Sequence, residues 1–389
     1  MCPTYMATGD ELMSTRGRAN LIRAVLEQRG TTGDPLVTPE LEAALSNCLG
    51  CKACLTECPS NVNLALLKAE LLHARLRQRG LNWRERFLCS LDRVGRIGCA
   101  TPFLANSLLT FGWFRHLANR VLGLGTERSL PPFARQRFDH WMARLPALPD
   151  PFRGPVILWD DTYVRYHEPG IGRAAVQVLR AAGYDVRLPV HRKCCGRPAF
   201  SLGHLDKAAA LGRHNLALLL SANADLPILF LEPSCYSMFV QDYRELNLPG
   251  AEDVAQRCFL FEQFVGDLLA AEPGALTFNA RPEHLTIHVH CHAKALAGPE
   301  SSRRLAERLL ARNVTLLDTG CCGMAGAFGA LEDKYELSLK IAAPLMDQIR
   351  HQPFGNIVVA SGTSCRHQVQ HLATVRTLHM AEVLAEALV

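Results

Sequence analysis

Residues 314–329 read VTLLDTGCCGMAGAFG, and residues 185–200 read DVRLPVHRKCCGRPAF. Each opens on a short apolar or β-branched stretch and runs into a Cys-Cys-Gly triplet, Cys321-Cys322-Gly323 and Cys194-Cys195-Gly196. The triplets are related by an offset of 127 residues, and Cys235 and Cys365 by an offset of 130. At that same offset of 130, Cys291 pairs with Asp161. Two halves that repeat at a near-constant spacing are two copies of one structural unit. The second copy carries four cysteines where the first carries three and an aspartate.

The stretches around the triplets set the fold class. Val156–Trp159, Asp185–Leu188 and Ile228–Leu231 are strand candidates in the first copy, separated by helical patterns over Ile171–Ala182 and Leu205–Ala222. Leu285–Val289, Val314–Leu317 and Ile357–Ala360 repeat the strands in the second copy, with helical patterns over Ser301–Arg312 and Tyr335–Gln348. Strands that alternate with helices predict parallel βαβ units, a Rossmann-like α/β fold. The copies are expected over 154–275, the degenerate one, and 276–389. In such sheets ligands gather outside the carboxyl ends of the strands, which is where the repeated cysteines fall.

The N-terminal part is different. Residues 1–85 read as an α-helical, ferredoxin-like domain. Ser14 is a candidate N-cap for a helix over Arg18–Gln28 with Gly30 past its end. Glu40–Ser46 leads into the next motif, and Leu64–Arg79 is an amphipathic helix closed by Gly80. Residues 86–153 form a helical linker ending in the Pro-rich LPALPDPFRGP, residues 145–155.

Cys48-x2-Cys51-x2-Cys54-x3-Cys58-Pro59 is the iron–sulfur run of bacterial ferredoxins. Thiolates at i, i+3 and i+6 wrap one face of a cubane, and iron takes soft anionic sulfur. In two-cluster ferredoxins the cysteine before the proline serves the other cluster. Cys2-Pro3 reads as the tail of a second such run. The expected [4Fe-4S] ligands are therefore Cys2, Cys48, Cys51 and Cys54, with Cys58 left for another cluster. The competing assignment closes the site locally with Cys58 and spares Cys2. Zinc is the alternative metal.

Cys291, Cys321, Cys322 and Cys365 supply enough thiolates for a second iron–sulfur or metal centre, with a redox dithiol or a structural turn as the other readings. His288, His290 and His292 bracket Cys291 and are expected to be outer donors or surface residues rather than ligands. Arg366 stands beside Cys365 to offset thiolate charge. In the first copy, Cys194, Cys195 and Cys235 have Asp160, Asp161 or Glu232 as oxygen donors, and a metal site and a structural relic are equally open. Cys89, Cys99 and Cys258 are expected as buried small hydrophobes in helical surroundings.

Composition narrows the class. The chain of 389 residues is 48% hydrophobic and 20% charged, so it buries sizeable cores and is not disordered. Its 15 cysteines, grouped as triplets and a ferredoxin run, argue for metal ligation in a reducing cytoplasm rather than a disulfide framework. Residues 71–120 hold nine arginines against Glu85 and Asp92. Inside that basic stretch, Ile97–Phe114 is an uncharged run of 18 residues. It reads as a buried helical linker, as a surface that docks a partner or anionic lipid at the cytoplasmic membrane, or as a membrane span. There is no GxGxxG after a predicted strand and no P-loop, so no flavin or nucleotide site of its own is expected. The basic stretch lacks interleaved aromatics, and no nucleic-acid partner is expected.

Together these motifs resemble the cysteine-rich, heterodisulfide reductase-like proteins. The resemblance extends to the iron–sulfur subunits of glycolate oxidase, lactate-utilisation and anaerobic glycerol-3-phosphate dehydrogenase systems. MCPTYMATGDELMSTRGRAN over 1–20, Asp161-Thr162-Tyr163, Glu232-Pro233-Ser234-Cys235, His290-Cys291-His292 and GCCGMAGAFG over 320–329 look most like the C-terminal part of FAD-linked D-2-hydroxy-acid dehydrogenases, of the D-lactate and D-2-hydroxyglutarate type. The resemblance implies an oxidoreductase component that passes electrons from FAD to a quinone or other acceptor. The FAD would sit on a partner subunit or an upstream domain, which would also supply the companions of Cys58. A truncated fragment and a thiol–disulfide reductase working at the triplets are the alternatives. Asp161, Glu232 and Gly362 stand where the fuller pattern has cysteines, so a noncubane cluster is not expected.

Overall fold

A computed structural model describes residues 2–27, 38–148, 152–222, 225–279, 284–309 and 313–389. Two four-stranded, wholly parallel sheets carry the C-terminal part. The first comprises β1 (Gly154–Trp159), β2 (Tyr184–Arg187), β3 (Ile228–Phe230) and β4 (Cys258–Leu260), in the order β2-β1-β3-β4. The second comprises β5 (His284–Ile287), β6 (Asn313–Leu316), β7 (Ile357–Val359) and β8 (Arg376–Leu378), in the equivalent order β6-β5-β7-β8. Pairing follows the repeat: β1 lies between β2 and β3 as β5 lies between β6 and β7. In both sheets the order reverses beside the second-placed strand, so a crevice opens at the carboxyl ends of β1 and β3, and of β5 and β7.

The six expected strands are present within a residue or two of their ends. β4 and β8 have no counterpart among them, because Cys-Phe-Leu and Arg-Thr-Leu lack the apolar β-branched run that marks the equally short β3 and β7. Cys258 consequently begins a strand rather than sitting in a helix, although it is buried as expected. Cys89 and Cys99 are half-buried residues at helix C-termini.

The last helix of each copy packs on the other copy: Phe261–Ala271 lies on Glu300–Arg308, and Met380–Ala387 on Pro169–Ala181. One continuous apolar core therefore runs through both sheets, from Val156 and Leu158 to Leu285 and Val359. Its aromatic centre reaches the first triplet. Trp159 and Phe230 pack on Phe239, at 4.7 and 5.1 Å between ring centroids, and Phe239 packs on Tyr243 at 4.8 Å. The Tyr243 hydroxyl, placed by this packing, donates to the Cys195 carbonyl at 2.6 Å.

The N-terminal part is helical. Ser14 accepts from the Gly17 N–H at 2.8 Å at the start of the helix Thr15–Glu27; Gln28 and Gly30, expected to end it, lie outside the described residues. The uncharged run 97–114 is not one helix. Pro102 and Gly112 divide it, giving Pro102–Thr110 and Gly112–Leu122. It is not buried either: Phe103 is 82% exposed, and Ile97, Leu104 and Trp113 are at least 60% exposed. Among the described residues no helix is long and apolar enough to cross a membrane.

Candidate metal centres and the cavity they share

The cysteines of the ferredoxin run are placed by turns that need left-handed backbone. Gly50 has φ +62° and Lys52 φ +61°, and they turn the chain between Cys48, Cys51 and Cys54. The Thr4 hydroxyl donates to the Asn47 carbonyl at 2.8 Å, which ties the helix after Cys2 to this loop. Arg18, 1% exposed, donates from Nη1 to the Cys2 Sγ at 3.1 Å and from Nε to the Ala44 carbonyl at 2.8 Å. Burial pushes the Cys51 thiol well up, and the charges of Cys291, Cys48 and Cys2 add to this. Burial raises Cys54 likewise, with Cys48 and Cys2 adding. The thiols of Cys2, Cys48, Cys51 and Cys54 are thus near enough to feel one another's charge. Cys58 stands apart, held below its ordinary range by the backbone N–H groups of Val62, Ser60 and Asn61.

In the second copy, Cys291 opens the helix Cys291–Leu296 beyond β5, the triplet follows β6, and Cys365 lies in the first turn of Thr363–Leu372 beyond β7. Their thiols lie near enough to perturb one another: interaction with the neighbouring sulfurs pushes Cys321 and Cys365 well up and pulls Cys291 and Cys322 well down. A ring nitrogen of His288, Cys322 Sγ and Cys365 Sγ all lie within 4.8 Å of one another. His290 accepts the His292 N–H on Nδ1 at 3.1 Å and caps the helix that Cys291 opens. A Cβ on Gly362 would come within 2.3 Å of the His290 ring, so no cysteine fits at 362 in this arrangement.

The first copy brings Cys194, Cys195 and Cys235 together, with Cys235 Sγ 3.1 Å from Cys195 Sγ. Asp161 follows β1 as Cys291 follows β5. Its Oδ1 accepts from the N–H groups of Tyr163 and Val164, while its Oδ2 is buried with no partner among the described residues. Burial and the neighbouring charge of Glu232 raise its carboxyl to about 7. Glu232 accepts from Ser234 N at 2.9 Å and from Thr363 N of the other copy at 2.8 Å. Asp160 is not part of this cluster; it is paired with Arg165 and Arg192.

The three sets meet. Cys48, Cys194, Cys195, Cys235, Cys291, Cys321 and Cys322 line one cavity of about 1670 Å³. Its other walls include apolar side chains such as Phe87, Leu108, Phe114 and Phe133 from the segment 83–133. His292 Nε2 donates to the Gly50 carbonyl at 3.0 Å, fastening the ferredoxin loop to the second copy. Lys52, with no exposed side-chain surface, pairs with Asp242 of the first copy at 2.9 Å.

The copies are also clamped to each other at the cavity wall. Glu168 accepts from Arg366 Nη2 at 2.6 Å and from His367 Nε2 at 2.9 Å. Burial opposes ionisation of Glu168, but Arg366 and His367 prevail and hold its carboxyl at about 2. A folded-state value below the unfolded one stabilises above the unfolded pKa, and that stability fades as pH falls from about 4.5 towards 2. Urea titrations across this window are expected to show a loss of up to ~3 kcal/mol from this group. In Glu168→Gln that part of the acid sensitivity is expected to vanish.

Two comparisons with known proteins agree with the geometry. Residues 1–62 match the family model of a 4Fe-4S dicluster domain, and residues 162–240 and 285–370 match that of a cysteine-rich domain, together more than half of the chain. One of the subunits of the anaerobic glycerol-3-phosphate dehydrogenase of Escherichia coli (strain K12) is 26% identical over 305 residues, covering 77% of this chain and 76% of that one. The D-2-hydroxyglutarate dehydrogenase of Pseudomonas putida is 26% identical over 99% of this chain, which spans 41% of that protein's length. The probable glycolate oxidase iron-sulfur subunit of Bacillus subtilis (strain 168) is 24% identical over 99% of this chain and 91% of its own. These relatives are oxidoreductases or subunits of them. The chain therefore belongs with the proteins that join a 4Fe-4S dicluster domain to a duplicated cysteine-rich domain.

Proposed function

We propose that this chain is the iron–sulfur electron-transfer part of an FAD-linked D-2-hydroxy-acid dehydrogenase. The supporting observation is that Cys48, in the ferredoxin run, and Cys291, Cys321 and Cys322, in the second copy, line one cavity. Two cysteine sets separated by more than 200 residues in sequence share a wall, as a relay requires. Cys2, Cys48, Cys51 and Cys54 fit a [4Fe-4S] cluster: four soft donors converge, and the buried Arg18 offers an N–H to one sulfur. Such a cluster, when bound, supplies a one-electron carrier. Cys291, Cys321, Cys322 and Cys365 would hold a second centre facing the cavity, and Cys194, Cys195 and Cys235 a third metal position. The chain's own part is to fix these donors, exclude water from them, and offer the acceptor an apolar approach.

The flavin would belong to a partner subunit or a further domain, and Cys58, apart from the other four, would serve a cluster completed from there. A quinone suits the apolar walls of the cavity. Trp83, Phe103, Leu104 and Trp113, exposed beside Arg84, Arg86 and Arg115, would set the cavity against the inner face of an anionic membrane. A second reading, thiol–disulfide exchange, is favoured by one observation, the 3.1 Å contact between Cys195 and Cys235.

The test is anaerobic reconstitution with iron and sulfide, followed by EPR before and after dithionite and after mixing with a flavoprotein reduced by D-2-hydroxy acid. Reduction of the cluster by the flavoprotein supports the proposal. Hydroxy-acid turnover by this chain alone, or disulfide reduction lost in Cys195→Ser, would overturn it.

A further inference from the structure

His288 is an anomaly of the duplicated frame. At the offset of 130 that relates β5 to β1, its counterpart is Leu158, a fully buried member of the apolar core. The second copy thus places an imidazole, 1% exposed, where the first places a hydrocarbon. Burying a polar ring costs free energy unless both nitrogens find partners. Nδ1 has one, the Thr319 hydroxyl at 2.9 Å. Nε2 is buried and has none among the described residues. A ring nitrogen of His288 lies within 4.8 Å of the sulfurs of Cys322 and Cys365, and Nδ1 is the one already engaged by Thr319.

The chemistry of this donor set is specific. Two thiolates and an imidazole match the preferences of zinc and of ferrous iron, whereas calcium and magnesium take oxygen donors. Tetrahedral ligands on such an ion stand roughly 3.5 Å apart, given bond lengths of about 2.0–2.3 Å. Contraction from within 4.8 Å needs side-chain adjustments of about an ångström. The Thr319 contact is the outer partner that orients a ligating histidine and fixes which nitrogen faces the metal.

We propose that His288, Cys322 and Cys365 bind a single zinc-like divalent transition-metal ion, and that His288 is a ligand of the second centre rather than an outer donor. This rests on the reading above only in placing a metal centre in the second copy, and it names a mononuclear, mixed nitrogen–sulfur site there.

Cobalt(II) is the probe, titrated into protein whose ferredoxin run has first been reconstituted with iron and sulfide. The comparison is with His288→Leu, which restores the residue of the first copy and so suits the core, and with the exposed-surface control His116→Ala. The native protein and the control are expected to take up one cobalt more than His288→Leu, with sulfur-to-cobalt charge-transfer and tetrahedral ligand-field bands. His288→Leu is expected to bind that ion at least about tenfold more weakly. Cys365→Ser should lose the charge-transfer intensity. Equal uptake and equal spectra in native protein and His288→Leu would overturn the proposal, as would four-iron occupancy of the second copy that the substitution leaves untouched. The dithionite-reduced EPR signal of the ferredoxin run reports separately on the relay. Its absence, with the cobalt difference intact, would remove the electron-transfer reading and leave this site standing.

Discussion

Cys2→Ser is expected to reduce the dithionite-generated [4Fe-4S] EPR signal on the order of tenfold or more, while Cys58→Ser leaves it nearly unchanged. The two residues hold equivalent places in sequence, each before a proline, but not in space. Cys2 shares its charge with Cys51 and Cys54, and Arg18 reaches its sulfur from a position fixed by the Ala44 carbonyl. Cys58 turns away at the end of the helix Ala53–Glu57, and its thiol is surrounded by backbone N–H groups rather than by cysteines. Iron content measured beside the signal separates loss of the cluster from loss of its paramagnetism. The opposite ranking, with Cys58→Ser the damaging change, would mean that the loop closes its cluster locally and that Cys2 is spare.

What can be read before folding depends on the length scale of the signal. The repeat offsets of 127 and 130 and the strand candidates locate both sheets, because apolar β-branched runs between helical patterns carry their own periodicity. An edge strand such as Cys258–Leu260, with no β-branched residue, carries none. The repeated cysteines point to the two crevices, because a doubly wound sheet puts its ligands at the carboxyl ends of its strands. That the two crevices and the ferredoxin loop open onto one cavity is not legible. It depends on long-range contacts, Glu232 to Thr363, Glu168 to Arg366 and His292 to Gly50, none of which has a local pattern. His288 is readable in principle, as a histidine aligned with Leu158. The proposed site departs from the expectation that a strand-end histidine beside a cysteine orients a ligand instead of being one. Likewise, the run 97–114 has the composition of a buried segment. Its division at Pro102 and Gly112 leaves helices too short to bury all their apolar faces.

Asp242 is the residue whose loss is expected to cost the fold most among the polar groups near the site. It lies at the end of a π-helical turn, Met238–Asp242, an irregularity that proteins tend to keep where a side chain must be re-aimed. The carboxylate is 1% exposed and holds two cations at once, Lys52 at 2.9 Å and Arg197, with the Ser237 hydroxyl donating at 3.0 Å. Lys52 lies between Cys51 and Cys54, and Arg197 directly follows the first triplet. One buried carboxylate thus joins the ferredoxin loop to the first copy. Burial drives the Lys52 ammonium towards its neutral form, and the Asp242 charge opposes this. In Asp242→Ala two buried cations face each other without an anion, a loss of about 3–5 kcal/mol for a broken buried pair. Lys52→Met should cost far less, because it leaves Asp242 paired with Arg197 and keeps the aliphatic volume. Chemical denaturation followed by circular dichroism measures the ranking, and iron retention after reconstitution measures whether the loop stays in place. Equal stability of the two variants would mean that the pair is hydrated in solution and that the backbone turn at Lys52, rather than its charge, holds the loop against the first copy.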